Sequence, residues 1–156
     1  MDEKEIEGLE ESSLKGYKEK VFPSKGFLTW EKDLVFTARI SGCLFDYDPK
    51  RQEGCFPTDT LIMSLAGCLA IDIVSFLQKM RAEIKSFEME VSGERNPTPP
   101  QYYKSIDIVF HISGKNITQK KLDRTISLSQ EKYCSVYHTL RKDTKVKVSY
   151  TIDEGT

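Results

Sequence analysis

The chain has 156 residues, enough for one domain of common size with its own buried core, although only 38% of them are hydrophobic. Charged residues make up 30% and almost cancel, leaving a formal net charge of -1. That balance gives no electrostatic case for nucleic acid or an anionic membrane as a partner.

The first 25 residues, MDEKEIEGLEESSLKGYKEKVFPSK, are acidic and lack an apolar segment, so no secretory signal is expected. Residues 1–15, with Asp2, Glu3, Lys4, Glu5, Glu7, Glu10 and Glu11, read as a charged, solvated leader, and residues 16–156 as a single domain. From Tyr17 the texture turns to strand: GYKEKVF, FLTW, LVFTARI and CLFDYD carry β-branched and aromatic residues. With turns at Asp33 and at Ser41-Gly42, they predict an antiparallel meander over about 17–48, with Trp30, Phe36 and Tyr47 in its core. DPKRQEGCFP then reads as a loop, punctuated by Pro49, Gly54 and Pro57.

Thr58 is placed to cap a long helix running to about Arg81, with Asp59 favoured in its first turn by the helix dipole. Leu61 to Leu77 approaches bilayer length, but Asp72 lies inside it, and a charge at mid-membrane costs roughly 2.5 kcal/mol or more. A buried helix of a soluble protein is the better reading. IKSFEMEVSGE and YKSIDIVFHISG alternate with period two, Phe87, Met89 and Val91 in the first and Ile106, Ile108, Phe110 and Ile112 in the second. Both predict strands with one wet and one buried face, joined by the stiff RNPTPPQY. Thr118 opens a second helix, TQKKLDRTISLSQEKYC, with Leu122, Ile126, Ser129 and Tyr133 on one stripe. KVKVSYTID closes the chain as a strand. Blocks of strands rather than strict alternation with helices indicate an α+β fold.

The central helix raises a chemical question. Ser64, Cys68, Asp72 and Ser75 share one stripe of an otherwise apolar helix, with Gly67 beside the cysteine as a point of close approach. A free cysteine often just packs, but a buried carboxylate needs partners, so the stripe points to a reactive thiol. Asp72 cannot activate that thiol, because a nearby carboxylate raises a thiol pKa. A cation from another segment is required, and Arg39, Lys32, Arg51 and His138 are the candidates. Cys43, Cys55, Cys68 and Cys134 contain no CxxC pair, which disfavours a zinc site and a thioredoxin motif. Cys43 reads as packed in a strand and Cys55 as an exposed loop residue. His111 reads as a surface histidine, and His138, four residues after Cys134, as able to touch that sulfur on a helix. Phe56 is a candidate for an apolar mouth, and Tyr102 and Tyr103 for packing on a partner subunit.

PTDTLIMSLAGCLAIDIVSFLQKMR, residues 57–81, and LSQEKYCSVYHTLR, residues 128–141, resemble the OsmC/Ohr family of hydroperoxide reductases, in its broad OsmC-like branch. The resemblance covers roughly 27–153. It implies two small antiparallel sheets around a long buried central helix, in an intertwined homodimer with its active sites at the subunit interface. It makes Cys68 the peroxidatic cysteine, oxidised by an organic hydroperoxide to a sulfenic acid, and Cys134 the resolving cysteine that condenses with it to a disulfide. A dithiol reductant, lipoyl-type or thioredoxin-like, would restore both thiols in the cytoplasm; no cofactor or metal is implied. In the organic-peroxide enzymes the acid that holds the thiolate-activating arginine is a glutamate at the position of Thr58 here; the OsmC-like branch carries it one place later, at Asp59, one methylene shorter than the usual glutamate. The usual arginine position reads WEKD here, so Lys32 or Arg39 would have to serve, and a lysine cannot give the two-pronged grip. A second reading is an OsmC-like protein whose cysteines serve redox sensing or small-ligand binding without fast peroxidase turnover.

Overall fold

The computed structural model describes residues 21–153. The predicted leader and the first part of the expected meander lie outside them. The chain divides into two compact units, Met1–Thr60 and Leu61–Thr156.

In the first unit, β1 (Gly26–Lys32), β2 (Val35–Ile40) and β3 (Cys43–Tyr47) form an antiparallel meander in that order. Both predicted turns are present, with Asp33 and Ser41 at φ 45° and 50°. Such left-handed conformations suit Asp, which tolerates them among non-glycine residues. The expected core is different. Val35 and Ala38 are buried, but Trp30 is 63% exposed, its indole N–H donating to the Asp33 carbonyl at 2.9 Å. Every residue of β1 is exposed, because no second layer covers it among the described residues of this unit.

Helix α1 spans Pro57–Lys79. Thr58 is not its cap. Pro57 takes the first helical position, where its missing N–H costs nothing, and Asp59 reaches back to accept the Phe56 N–H at 3.1 Å. The helix stops two residues before the predicted Arg81, which takes φ 59°. The Ala82 N–H returns to the Leu77 carbonyl at 2.9 Å and the Arg81 N–H to that of Gln78 at 3.0 Å, a Schellman ending on a non-glycine residue.

The second unit holds the core. β4 (Glu83–Arg95), β5 (Tyr103–Lys115) and β6 (Lys145–Asp153) make a sheet in the order β4-β5-β6. The predicted alternation holds: Ile106, Ile108, Phe110 and Ile112 are fully buried, in one cluster with Leu65, Leu69, Ile73 and Leu77 of α1 and Leu122. Phe110 stacks between Phe87 and Tyr150, with ring centroids 5.2 and 5.4 Å away. The sheet is mixed rather than antiparallel, since β5 and β6 run parallel. The segment between them carries the chain back to the starting end of β5, as a parallel pair requires. His111, on the outer face, is exposed beside Thr151. Tyr103 is buried in its own chain: a Cβ at Gly93 would stand 2.5 Å from its ring, so only glycine lets strand and ring meet. Tyr102 lies under the Arg141 guanidinium, 3.9 Å from the ring centre.

The second predicted helix is three pieces. Helix α2 (Gln119–Leu128) is capped as expected by Thr118, whose Oγ1 accepts the Lys121 N–H at 3.3 Å. A π-helical turn, Ser129–Tyr133, follows, and a short helix α3 (Ser135–Thr139) begins after a break at Cys134.

Candidate functional site

The π-helical turn delivers Cys134. Its N–H bonds to the Ser129 carbonyl at 2.8 Å, five residues back. Cys134 itself is extended, at φ -72° and ψ 97°, and caps α3 by accepting the Tyr137 N–H on its sulfur at 3.4 Å. Single π-helical turns interrupting helices often mark functional positions. Here the extra residue in the turn sets the buried Cys134 in the core cluster against which the half-buried Cys68 of α1 packs, close enough for each thiol to act on the other. Positions 66 residues apart thus meet within a single chain.

Burial pushes the Cys134 thiol up to about 12, and the neighbouring Cys68 thiol adds to it. The Tyr137 N–H pulls the other way, while charge on Cys68 and on Asp72 raises it further. Asp72, one turn beyond Cys68, is also buried, and accepts the Ser129 hydroxyl at 2.6 Å. The carboxylate's requirement for a partner is met by a side chain of the same chain rather than by a groove. Tyr133, its ring 5.1 Å from that of Phe76, is pushed up by burial and by the charge of Asp72. His138 is exposed and meets the Tyr137 ring edge-on at 5.6 Å; the Cys134 sulfur accepts the Tyr137 N–H instead. A Cβ built at Gly67 would meet open space, so close approach is not what requires glycine there.

The first unit holds a separate charge cluster on the Asp48–Phe56 loop. Asp48 accepts the backbone N–H groups of Lys50, Gln52 and Glu53 at 2.8, 3.0 and 3.0 Å, and those donors hold its carboxyl below the usual carboxylate range. The loop closes on β3 so tightly that a Cβ at Gly54 would stand 2.2 Å from the Asp46 carbonyl oxygen. Arg51 grips Asp59 with two prongs, Nε to Oδ2 at 2.8 Å and Nη2 to Oδ1 at 3.1 Å, and lies 4.9 Å over the Phe56 ring. The two-pronged partner of Asp59 is therefore Arg51. Arg39 stands exposed on β2, opposite Phe27 and Leu44 in the ladder, and Lys32 pairs with Glu53 at 2.9 Å.

Cys43 is exposed and Cys55 half-buried with its thiol toward the Asp46 carbonyl, the reverse of their expected settings. Among the described residues no group of three or more His, Cys, Asp or Glu is placed to hold a metal.

The profile of the family described as OsmC-like protein matches residues 50–149, a stretch that includes Cys68, Cys134, Asp59 and Asp72. The chain belongs to the OsmC-like family. Protein YhfA of Escherichia coli (strain K12) is 34% identical over 96 residues, covering 62% of this chain and 72% of YhfA. A hypothetical protein from Aquifex aeolicus VF5 superposes with a TM-score of 0.79 at 26% identity, over 87% of this chain and 100% of that one. The organic hydroperoxide resistance protein OhrB of Bacillus subtilis shares the fold, with a TM-score of 0.58 at 17% identity over 85% of this chain and 100% of OhrB. In this OsmC-like chain, sequence reasoning singled out Cys68, Cys134, Asp59 and Asp72 but gave Ser129 no role. The available signal was a small polar residue on the apolar stripe of the predicted second helix, which a core admits only when it is hydrogen-bonded.

Proposed function

We propose that the protein is a thiol-dependent peroxidase that reduces organic hydroperoxides in oxidative stress defence. The observation that carries this reading is the pair of free thiols brought together in one core cluster, one half-buried and one buried, in an OsmC-like chain. The OhrB neighbour, an organic hydroperoxide resistance protein by name, supports the substrate class. Cys68, the more accessible thiol, attacks one peroxide oxygen as thiolate. The O–O bond breaks, the other oxygen leaves with its organic group and takes a proton to become an alcohol, and Cys68 is left as a sulfenic acid. Cys134 then attacks the Cys68 sulfur. The S–S bond forms, the S–O bond breaks, and the hydroxyl leaves with the Cys134 proton as water. An external dithiol, lipoyl-type or thioredoxin-like, takes up the disulfide and returns both thiols. Two thiols lost per chain on adding cumene hydroperoxide, with a Cys68–Cys134 linkage in the mass spectrum, is the expected result. Thiols that survive excess peroxide would remove the reading.

For the acid of the machinery we keep Asp59, and for its cation we take Arg51 in place of Arg39, on the two-pronged contact. Asp59→Asn should slow peroxide consumption while both thiols remain free; an unchanged rate excludes the pair.

The second reading, a redox sensor without fast turnover, is favoured by one feature. Burial raises the Cys134 thiol well above the ordinary thiol range, so little of it is ionised at neutral pH, which slows the second step.

We further assign a cytoplasmic homodimer. Met63 and Ile71 of α1 are 60% and 66% exposed, and Phe27, Leu28 and Leu44 are exposed as well. Apolar residues so placed are what a second copy would cover. Sedimentation should return the mass of two chains; a monomer at micromolar concentration would refute the assignment.

A further inference from the structure

A chain of bonds links the two cysteines by a second route. From Cys68, one turn of α1 leads to Asp72. Asp72 Oδ2 accepts the Ser129 hydroxyl at 2.6 Å, and the Ser129 carbonyl accepts the Cys134 N–H at 2.8 Å. The Cys134 thiol is in turn close enough to act on Cys68. Ser129 is the first residue of the π-helical turn and is fully buried, so this one residue ties the base of the turn to α1 and its last bond to Cys134. Had the helix continued in α form, the Cys134 N–H would have sought the Gln130 carbonyl, one residue on, and the thiol would point elsewhere. Burying a carboxylate costs stability unless it is hydrogen-bonded, and an apolar side chain would fill the same space at no such cost. What the carboxylate adds is direction.

We propose that Asp72 and Ser129 are positioning residues for the Cys134 thiol: their buried hydrogen bond pins the π-helical turn to the central helix one turn from Cys68, and so sets the geometry in which the disulfide closes. The role rests on the thiol pair of the proposed peroxidase, but its consequence is measurable without peroxide. Oxidised glutathione supplies the oxidant: two protein thiols and one glutathione disulfide give the Cys68–Cys134 disulfide and two reduced glutathiones. The position of that equilibrium reports how closely the two sulfurs are held, as an effective concentration.

The full-length chain is equilibrated with mixtures of reduced and oxidised glutathione, and the internal disulfide is measured by mass spectrometry after acid quenching. Ser129→Ala should lower the effective concentration by at least about tenfold, the scale of losing a hydrogen bond to a buried charge. Ser129→Thr, which keeps the hydroxyl, should recover most of it. Asp72→Asn keeps the side-chain volume and an acceptor oxygen, so its drop should be smaller, about threefold.

A second readout separates positioning from bulk stability. The groups that act on Cys134 are, beyond burial itself, Cys68 and Asp72 on α1 and the Tyr137 N–H on α3. Removing the Asp72 charge should therefore move the pH profile of ring closure, started from protein glutathionylated at Cys68, to lower pH. Ser129→Ala should leave that profile in place and lower only its height. Effective concentrations within about twofold of the parent's for folded Ser129→Ala and Asp72→Asn, with both profiles unmoved, would overturn the proposal. Should Ser129→Ala not fold, Asp72→Asn decides it by the same two readouts. A parent that ignores peroxide but forms the disulfide with glutathione would end the peroxidase reading alone.

Discussion

Cys68→Ser should lower consumption of cumene hydroperoxide by three orders of magnitude or more, the scale of loss when an enzyme's nucleophile is removed. The magnitude follows from chemistry: a serine hydroxyl has neither the low pKa nor the soft electron pair with which a thiolate displaces oxygen. Nothing else at the site offers a substitute, since Cys134 is buried and its pKa pushed up to about 12 by that burial and by the neighbouring Cys68. Cys134→Ser should behave differently. It should reduce about one peroxide per chain and stop, leaving a Cys68 sulfenic acid that a dimedone probe captures and that excess peroxide carries on to the sulfinic acid. The pair of variants assigns the two roles, because exchanging the cysteines would exchange the outcomes. Cys68→Ser that matches the parent in peroxide consumption would end the peroxidase reading.

Fold and site were legible to different depths. The alternation of Ile106, Ile108, Phe110 and Ile112 gave β5 and its buried face because a strand's side-chain period admits no other reading. The central helix was equally plain, and Thr118 marked the start of α2 because a local side-chain-to-backbone bond fixes it. The errors fall where distant residues decide. Thr58 is a good capping residue, but Pro57 already fits the first helical position and Asp59 reaches the Phe56 N–H. Trp30 reads as core by its chemistry, yet among the described residues of the first unit no second layer covers it. The parallel pairing of β6 depends on where a long crossover returns the chain, which the alternation of KVKVSYTID does not encode. The π-helical turn is the instructive case. SQEKY contains no glycine or proline, so its local sequence reads as continuous helix. The turn coincides with tertiary contacts that include Ser129 to Asp72 and Tyr133 to Phe76. The cysteines could be paired by family resemblance before the geometry that joins them could be seen.

That geometry depends on the sheet behind it, and Phe110→Ala should cost about 3–5 kcal/mol of folding stability. The ring is fully buried and stacks on both sides, on Phe87 at 25° and on Tyr150 at 27° between planes. Truncation would remove its burial and both ring contacts at once and leave a cavity bordered by two aromatic faces that cannot close over it without shifting their strands. His111→Ala, one residue along the same strand on the exposed face, should cost about 0.5 kcal/mol or less. Urea unfolding at a fixed protein concentration compares the two, since the midpoint of a dimer would move with concentration. For a chain of this size the larger loss corresponds to a fall in Tm of about 6–20 °C. Folded Phe110→Ala at low temperature should still form the Cys68–Cys134 disulfide, since it leaves both thiols and the Asp72–Ser129 bond in place. Equal losses in the two variants would mean that the β4-β5-β6 sheet does not clamp the core on which α1 and the π-helical turn are seated.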